Sequence, residues 1–325
     1  MSKLTVVIYS KEKYPYWQFP SWLYEELKRS FPQLQFILSY GNPPLEVLIS
    51  EADILITGRF PRELFAKAKK LKWIHSLFAG VGNMLFKEMV DSPIVITNSR
   101  GVNAEAAALH AVTLSLALLR GLPFAFALKN KKEYNHAFFT EEFLPLETSE
   151  IVAGIMGYGQ IGKRVIQMLS AMGFRTFCLR RKKERADCEK TFFFDQLEEF
   201  LRQIDLLIIT APLTDKTYGL INLDRLKLLK GFLVNVARGK IIIEEDLIKA
   251  LQEGIIKGAA LDVFETEPLS PESPLWKMDN VIITPHIGGT SSLYWKRMKD
   301  LLKEQLKRFL EGKPLLNIVN KHEGY

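Results

Sequence analysis

Short apolar runs alternate with amphipathic stretches along the first hundred residues of the chain. Five of these runs have the length of strands, at residues 4–8, 35–38, 54–57, 73–76 and 94–97. Apolar positions at helical spacing predict helices over residues 22–29 and 61–68. Apolar strands that alternate with helices are typical of a parallel sheet. This part of the chain is therefore predicted to form an open parallel α/β unit.

A long apolar helix is predicted next, over residues 104–119, and a charged, aromatic segment follows it over residues 129–150. Strand patterns then return, at residues 151–156, 175–179, 206–210, 232–235, 259–262 and 281–284. The last predicted helix, residues 291–310, is strongly amphipathic, and Gly312-Lys313-Pro314 ends it. A helix at the end of the chain can pack against the first unit, so we expect that unit to be discontinuous.

A glycine-rich turn joins the strand at residues 151–156 to the helix after it. The turn reads Gly157-Tyr158-Gly159-Gln160-Ile161-Gly162. Gly157 permits a tight turn, Gly159 lets a pyrophosphate approach the backbone, and Gly162 lets the helix pack closely on the strand. One helix face is predicted to bury Val165, Ile166, Leu169 and Met172, and Gly173 ends the helix. This context predicts dinucleotide binding rather than a turn used only for packing.

The strand that follows this helix ends in Arg180 and Arg181, where such sites usually have an acidic residue for the ribose hydroxyls. A carboxylate there would repel a 2′-phosphate, whereas an arginine fork suits phosphate oxygens. Lys182, Lys183 and Arg185 extend the positive charge. NADP(H) is therefore the expected cofactor, and NAD(H) is possible. The alternative interpretation is a solvated basic loop.

These patterns together predict an α/β protein of two doubly wound parallel-sheet domains. Residues 101–289 are expected to form a Rossmann cofactor domain, which includes the long apolar helix and the segment after it. Residues 1–100 plus 290–325 are expected to form a flavodoxin-like domain that binds the substrate. Ligands bind at the carboxyl ends of the strands in such sheets, so we expect the active site in the cleft between the domains.

Composition narrows the class of protein further. The chain has 325 residues, which suits two domains, and its two cysteines provide neither a disulfide framework nor a metal cluster. Its net charge of +7 is scattered through helical patterns without a nucleic-acid-binding module, so anionic small ligands explain it better than nucleic acid does. The longest apolar stretch, residues 104–119, is too short and too polar for a membrane span. We expect no signal peptide, and we expect a cytoplasmic location.

Polar residues that the fold alone does not need stand at the ends of three later strands. They are Arg238 in 234–239, Glu267 in 261–268 and His286 in 282–289. An arginine fork suits a carboxylate, and a histidine held by an acid can exchange a proton near neutral pH. Each residue alone could be structural, but their occurrence at strand ends beside a nucleotide-binding turn favours an active site.

At this point the chain resembles the D-isomer-specific 2-hydroxyacid dehydrogenases, a family that includes glyoxylate/hydroxypyruvate reductases. The resemblance covers nearly the whole chain and keeps the order and spacing of the family's motifs. These are GYGQIG, APLTDKT (211–217), VNVARG (234–239), ALDVFETEPL (260–269), TPHIGG (284–289) and LEGKPLLNIVN (310–320). It implies D-isomer-specific hydride transfer between NADP(H) and a small 2-oxo or 2-hydroxy acid, without a metal. Glyoxylate and hydroxypyruvate are the favoured substrates, because arginine at the ribose position is common in that branch.

The same resemblance implies a role for each motif residue. Arg238 would bind the substrate carboxylate and polarise the 2-oxo group, His286 would be the acid in reduction and the base in oxidation, and Glu267 would pair with His286. Asp262 would orient the nicotinamide, and Ala211 and Pro212 would form part of the adenine wall. The cofactor set also includes Gly157, Tyr158, Gly159, Gln160, Ile161, Gly162, Arg180, Arg181, Thr217, Val236, Ala237 and Gly288.

The segment Phe78-Ala79-Gly80 resembles the family loop whose backbone N–H groups hold the substrate carboxylate. The sequence departs from the family at three positions. Gly82 stands where aspartate is usual, Leu109 where glutamate is common, and Ile243 where an acid is usual. None of these departures touches the three catalytic candidates.

Residues 104–128 resemble the family's dimer helix and residues 129–146 its arm around the partner, so a homodimer is expected. The alternative is an ordinary buried helix of one chain. Two other functions stay open at this point. One is a nucleotide-sensing regulator that resembles the transcriptional corepressors of this family, and the other is a formate or phosphite dehydrogenase.

Overall fold

The computed structural model describes residues 3–324, which fall into two compact units. The first unit contains the residues up to Val102 and those from Ser291 onward, and the second contains Asn103–Thr290. Each unit is built on one parallel sheet whose side chains are buried on both faces. The predicted fold class is confirmed.

The five-stranded sheet of the first unit has the order β2-β1-β3-β4-β5. Its strands are β1 (Thr5–Tyr9), β2 (Gln35–Ser39), β3 (Ile54–Thr57), β4 (Trp73–Ser76) and β5 (Val95–Asn98). The seven-stranded sheet of the second unit has the order β12-β11-β10-β9-β6-β7-β8. Its strands are β6 (Val152–Met156), β7 (Arg175–Arg180), β8 (Lys190–Phe193), β9 (Leu206–Ile209), β10 (Phe232–Asn235), β11 (Gly258–Leu261) and β12 (Val281–Ile283). The strand order reverses beside β6, and ligands bind at such switch points.

Ten α-helices lie within residues 3–324. They are α1 (Ser21–Ser30), α2 (Leu45–Leu48), α3 (Lys87–Val90), α4 (Ala104–Leu119), α5 (Leu122–Lys131), α6 (Gln160–Ala171), α7 (Leu197–Arg202), α8 (Leu223–Leu226), α9 (Glu244–Gln252) and α10 (Tyr294–Leu310). The last helix belongs to the first unit, where Met298 and Leu302 pack in one core with Val6, Ile8 and Trp73. The opposite face of that sheet packs around Val7 of β1, because successive side chains of a strand point to opposite faces.

The structure differs from the sequence patterns in three local details. Residues 61–68 form a 3₁₀ turn over Arg62–Lys67 rather than an α-helix. The short edge strand Lys190–Phe193 was not predicted, because four residues with two polar members give little periodic signal. Met172 is 43% exposed rather than buried, since it caps the C-terminus of α6.

The segment that resembles a dimer helix, residues 104–128, consists of two helices. The chain turns by 65° between α4 and α5 at Gly121, whose φ is +66°. A Cβ at Gly121 would lie 2.7 Å from the ring of Phe143, so a side chain there is excluded on two grounds. Within residues 3–324 no single helix is long and apolar enough to cross a bilayer, and only this bent pair meets the criterion by length and composition.

Candidate active site

The glycine-rich turn lies between β6 and α6, at the carboxyl edge of the seven-stranded sheet. Gly157 has φ +111°, and a Cβ there would lie 2.7 Å from the backbone nitrogen of Ala211. A Cβ at Gly162 would collide with the carbonyl oxygen of Gly157. Around the Cβ position of Gly159, by contrast, no described atom beyond its chain neighbours lies within 4 Å. This open space and the first N–H groups of the 12-residue α6 fit a pyrophosphate.

Tyr158 connects this turn to residues 180–187, which we name the basic loop. The Tyr158 hydroxyl accepts a hydrogen bond from the backbone N–H of Asp187 at 2.8 Å, and the Arg180 guanidinium lies 5.0 Å from its ring centre. Arg180 also donates to the carbonyl of Glu184 at 3.0 Å and pairs with its carboxylate at 3.2 Å. The two arginines therefore differ in setting: the Arg180 side chain is only 11% exposed and holds the loop, whereas Arg181 is exposed.

The predicted adenine wall is held by Thr217. Its hydroxyl donates to the carbonyl of Pro212 at 2.7 Å and accepts a hydrogen bond from the backbone N–H of Thr214 at 2.8 Å. Thr217 is buried, so it fixes the turn after Ala211 through these two bonds. The remaining predicted cofactor residues open α6 or follow β10, and they are Gln160, Ile161, Val236 and Ala237.

Arg238 stands on the turn after β10, and the buried side chain of Asn235 holds that turn. Asn235 Oδ1 accepts a hydrogen bond from the N–H of Ala237 at 3.0 Å, and its Nδ2 donates to the carbonyl of Arg238 at 3.0 Å. A Cβ at Gly239 would collide with the backbone after β11, so this glycine lets the two strand ends approach. Arg238 is exposed, yet the surrounding protein lowers the pKa of its guanidinium, and the charge of Glu267 opposes that effect. The guanidinium still stays protonated at neutral pH, because the ordinary pKa of arginine is above about 12.

Glu267 and His286 form a hydrogen-bonded pair, with 2.7 Å between Glu267 Oε2 and His286 Nδ1. The backbone N–H of Phe264 donates to Glu267 Oε1 at 3.1 Å. Burial acts to raise the pKa of Glu267, but these hydrogen bonds and the charges of His286 and Arg238 outweigh burial and lower it. His286 has φ +54°, and its N–H donates to the carbonyl of Asp262 at 2.9 Å. A non-glycine residue in this conformation is typical of functional sites.

Asp262 organises the segment that carries His286. Its carboxylate is buried and accepts hydrogen bonds from the Thr284 hydroxyl at 2.6 Å and from the N–H groups of Ile287 at 2.9 Å and Gly288 at 2.8 Å. His110 Nε2 lies 3.4 Å from the same carboxylate. Burial acts to raise the pKa of Asp262, and the hydrogen bonds from His110, Thr284 and the backbone outweigh it and lower it. Asp262 therefore also has a structural role, because it holds the segment that carries His286. The family resemblance implies its other role, which is to orient the nicotinamide.

The predicted substrate loop follows β4 in the first unit. The carbonyl of Phe78 accepts a hydrogen bond from the N–H of Ser99 at 3.3 Å, and the carbonyl of Ala79 accepts one from Asn98 Nδ2 at 2.8 Å. Ala79 and Gly80 are exposed. The loop is therefore fixed by its carbonyls and presents small residues at the surface of the unit.

The three departures from the family pattern are all exposed. Gly82 opens a short 3₁₀ turn, and Leu109 and Ile243 are 56% and 38% exposed.

Two residues that support the candidate site, Asn235 and His110, were not identified from the sequence. Asn235 holds the turn after β10, and His110 lies beside the carboxylate of Asp262, after β11. The signal that could have found Asn235 is its place as a polar residue closing an otherwise apolar strand.

His75 has no part in this constellation. It is fully buried, its Nδ1 lies 2.8 Å from Thr97 Oγ1 and its Nε2 lies 3.2 Å from Ser99 Oγ. Burial lowers the pKa of His75 to about 3, so it packs as a neutral side chain. Among the residues that the structure describes, no group of three or more His, Cys, Asp or Glu side chains is placed to hold a metal ion.

Comparison with known proteins gives one consistent result. Residues 112–288 match the family model described as D-isomer specific 2-hydroxyacid dehydrogenase, NAD binding domain. A glyoxylate reductase from Pyrococcus horikoshii is 35% identical over 290 residues, which is 86% of each protein. The structure of an NADPH-dependent glyoxylate/hydroxypyruvate reductase from Sinorhizobium meliloti in complex with NADP and sulfate is 28% identical, with a TM-score of 0.84 over 99% of this chain and 100% of that chain. A D-lactate dehydrogenase from Aquifex aeolicus, complexed with NAD and lactic acid, is 25% identical, with a TM-score of 0.77 over 97% and 99% of the two chains.

The fold and the site define an oxidoreductase that uses a nicotinamide cofactor. The chain belongs to the D-isomer-specific 2-hydroxyacid dehydrogenase family. The comparisons favour neither a non-enzymatic regulator nor a formate or phosphite dehydrogenase.

Proposed function

We propose that the protein is an NADPH-preferring reductase of small 2-oxo acids, with glyoxylate and hydroxypyruvate as its substrates. The observation that carries this proposal is the hydrogen-bonded Glu267–His286 pair, which is placed with Arg238 at neighbouring strand ends of the unit that holds the glycine-rich turn. The names of the relatives from Pyrococcus horikoshii and Sinorhizobium meliloti support the choice of substrate.

A nicotinamide cofactor, when bound, would supply the hydride, and the residues of this chain supply charge and a proton. Arg238 offers a fork of donors that suits a substrate carboxylate and polarises the neighbouring 2-oxo group. Glu267 already holds Nδ1 of His286, so Nε2 is the nitrogen from which the proton passes to the carbonyl oxygen. The lowered pKa of Glu267 keeps its carboxylate charged at neutral pH, so that it can accept the hydrogen bond that orients the His286 ring. In the reverse direction His286 accepts the proton.

The preference for NADPH rests on the basic loop. Arg181 is the exposed member of the pair and would contact the 2′-phosphate, whereas Arg180 would hold the loop in shape through Tyr158 and Glu184. Hydrogen bonds to charged groups contribute about 1.5–3 kcal/mol each, so loss of one changes affinity roughly 10- to 150-fold. Arg181→Asp should therefore weaken NADPH binding by about that factor and leave NADH binding nearly unchanged.

Arg180→Asp should reduce the binding of NADPH as well, because it also removes the contacts that order the loop. A matched control is Arg175→Asp, which replaces an exposed arginine at the opposite end of the same strand. If both loop variants kept the ratio of NADPH to NADH dissociation constants of the wild type, the assignment of the basic loop to the 2′-phosphate would be wrong.

The apolar surface around α4 and α5 supports a homodimer. Leu109, Leu122, Phe126 and Leu144 are exposed in the single chain, by 43% to 69%. Exposed apolar side chains on neighbouring segments are typical of an association surface. Light scattering at micromolar concentration should return twice the mass of one chain. A cytoplasmic location is part of the same proposal.

The direct test is a panel of 2-oxo acids assayed with NADPH and NADH in parallel, followed by the loss of reduced-nicotinamide absorbance. Glyoxylate and hydroxypyruvate with NADPH should give the highest kcat/KM. Pyruvate, which lacks the hydroxyl of hydroxypyruvate, and 2-oxoglutarate, which carries a second carboxylate, serve as controls. If glyoxylate and hydroxypyruvate were not turned over while NADPH still bound, the assignment of these two acids as substrates would be wrong.

A further inference from the structure

The two cysteines of the chain, Cys178 and Cys188, lie at the two ends of the basic loop. Cys178 is on β7 and fully buried, and Cys188 comes just before β8 and is partly buried against the same hydrophobic core. Nine residues separate them, including Arg180 and Arg181. Both thiols are free.

The sheet register brings the two thiols together. Cys178 pairs with Thr191 across the β7–β8 ladder, and the Sγ of Cys188 lies 3.6 Å from the hydroxyl of Thr191. Side chains of directly paired residues stand on the same face of a sheet, so Cys188 lies beside Cys178 on that face. Cys178 is buried in the hydrophobic core against which Cys188 packs.

Both chain neighbours of Cys188 are anchored. The N–H of Asp187 donates to the hydroxyl of Tyr158 at 2.8 Å, and the N–H of Glu189 donates to the carbonyl of Thr176 at 2.9 Å. Cys188 is thus held next to Cys178 by the same contacts that shape the basic loop. Because the two cysteines are already held side by side, little chain entropy is lost when they form a disulfide.

The environment also gives the two thiols different reactivities. The hydrogen bond from Cys178, the contact with Thr191 and the charge of Arg185 together outweigh burial and lower the pKa of Cys188 to about 7. The hydrogen bond with Cys188 and burial raise the pKa of Cys178. A partly exposed thiolate is the form that reacts with oxidants, and the buried thiol beside it can resolve the product as its proton passes to the departing hydroxyl.

We propose that Cys178 and Cys188 form a peroxide-reactive thiol pair that closes to an intramolecular disulfide across the basic loop. The Cys188 thiolate attacks a hydroperoxide, so that an S–O bond forms, the O–O bond breaks, and water or an alcohol leaves after taking up a proton. The Cys178 sulfur then attacks the Cys188 sulfenic acid, an S–S bond forms, and the S–O bond breaks with loss of a second water. The two sulfurs lose the two electrons that reduce the peroxide.

Disulfide formation requires the loop ends to move, because an S–S bond of about 2.05 Å is much shorter than the separation of two sulfurs in contact. Arg180 would move with them, since its guanidinium is bonded to Glu184 within the loop. A ligand that holds the loop in its reduced shape must therefore slow closure. This consequence rests on the proposed function, in which the loop binds the 2′-phosphate of NADP.

The test uses the full-length protein, treated with hydrogen peroxide, blocked with N-ethylmaleimide and digested with trypsin. Trypsin separates the two cysteines into the peptides 176–180 and 186–190, so a disulfide appears in mass spectrometry as a linked pair that dithiothreitol releases. The expected result is loss of both thiols from each chain with formation of this linked pair. Absence of the linked pair, or links only between chains in a mixture of isotope-labelled and unlabelled protein, would overturn the proposal.

Two variants serve as matched controls. In Cys178→Ser, Cys188 should stop at the sulfenic acid and be trapped by dimedone, whereas in Cys188→Ser, the buried Cys178 should stay reduced. Equal oxidation of the remaining cysteine in both variants would overturn the assigned roles. Saturating NADP⁺ should slow formation of the linked pair more than saturating NAD⁺, and equal rates would overturn the coupling to the loop. Because the linked pair is read without turnover, it can form even if the enzyme proves to prefer NADH.

Discussion

The turn that carries Arg238 depends on one buried amide, and Asn235→Ala removes it. The substitution leaves the N–H of Ala237 without its partner at 3.0 Å. It also removes one of the two donors to the carbonyl of Arg238, which still accepts a hydrogen bond from the N–H of Ile241 at 3.3 Å. A buried group that loses its hydrogen bond costs about 1–3 kcal/mol, so the unpaired N–H of Ala237 should lower the free energy of unfolding by about that amount. Asn235 is fully buried, so water does not readily replace the amide.

The same substitution should reach the chemistry, because Arg238 would no longer be held in one place. Misplacement of a substrate-binding group by about 1 Å can cost on the order of 100-fold in rate. We therefore expect kcat/KM for glyoxylate to fall about 10- to 100-fold, chiefly through a higher KM. Urea unfolding and steady-state kinetics on the same preparation measure the two effects separately.

Asn222→Ala is the matched control. Asn222 caps α8 by accepting a hydrogen bond from the N–H of Arg225 at 3.1 Å, and loss of such a cap costs about 1 kcal/mol. This variant should be less stable but keep the kinetics of the wild type. If Asn235→Ala lost the expected stability yet kept kcat/KM within about twofold of the wild type, the amide would serve the fold alone and its positioning role would be refuted.

Three further predictions concern other groups. His286→Ala should lower turnover by about 10²- to 10⁴-fold because it removes the proton donor, whereas the exposed His322→Ala should not, and near-normal turnover in the first variant would exclude the assigned role. Tyr158→Phe removes the acceptor of the Asp187 N–H and should weaken NADPH binding about fivefold in a titration. An unchanged affinity would contradict the role of Tyr158 in holding the loop. The lowered pKa of Glu267 means that its charge stabilises the folded protein above the ordinary carboxyl pKa, and this contribution is lost as the pH falls through the lowered value. Urea unfolding of Glu267→Gln should therefore depend less steeply on pH in that acidic window, and an unchanged slope would contradict the pairing.

The fold was predictable because its signals are local. The glycine-rich turn, the apolar strands and the helical periodicity each occupy a short window, and the parallel architecture follows from their alternation. The proximity of the three catalytic candidates could also be expected, since Arg238, Glu267 and His286 lie on the segments that follow β10, β11 and β12, and parallel strands end at the same edge.

Contacts between distant segments could not be predicted in this way. The bond from Asp187 to Tyr158 joins residues 29 positions apart, and that from His110 to Thr284 joins residues 174 apart. Arg180 looked like a phosphate ligand in the sequence, but its contacts with Tyr158 and Glu184 show that it also shapes the loop. Such double roles depend on geometry that no short window of sequence contains.

The discontinuous first unit has a consequence for biosynthesis. One face of its sheet, around Val6, Ile8 and Trp73, is covered by Met298 and Leu302 of α10. While the ribosome is still translating the second unit, α1 covers only part of that face through Leu23 and Leu27, and the part that α10 buries stays open. The second unit, made from one continuous stretch, can complete its core first. A stalled or prematurely terminated chain that ends before α10 would therefore expose this apolar face, and we expect chaperones and proteases to recognise such chains there.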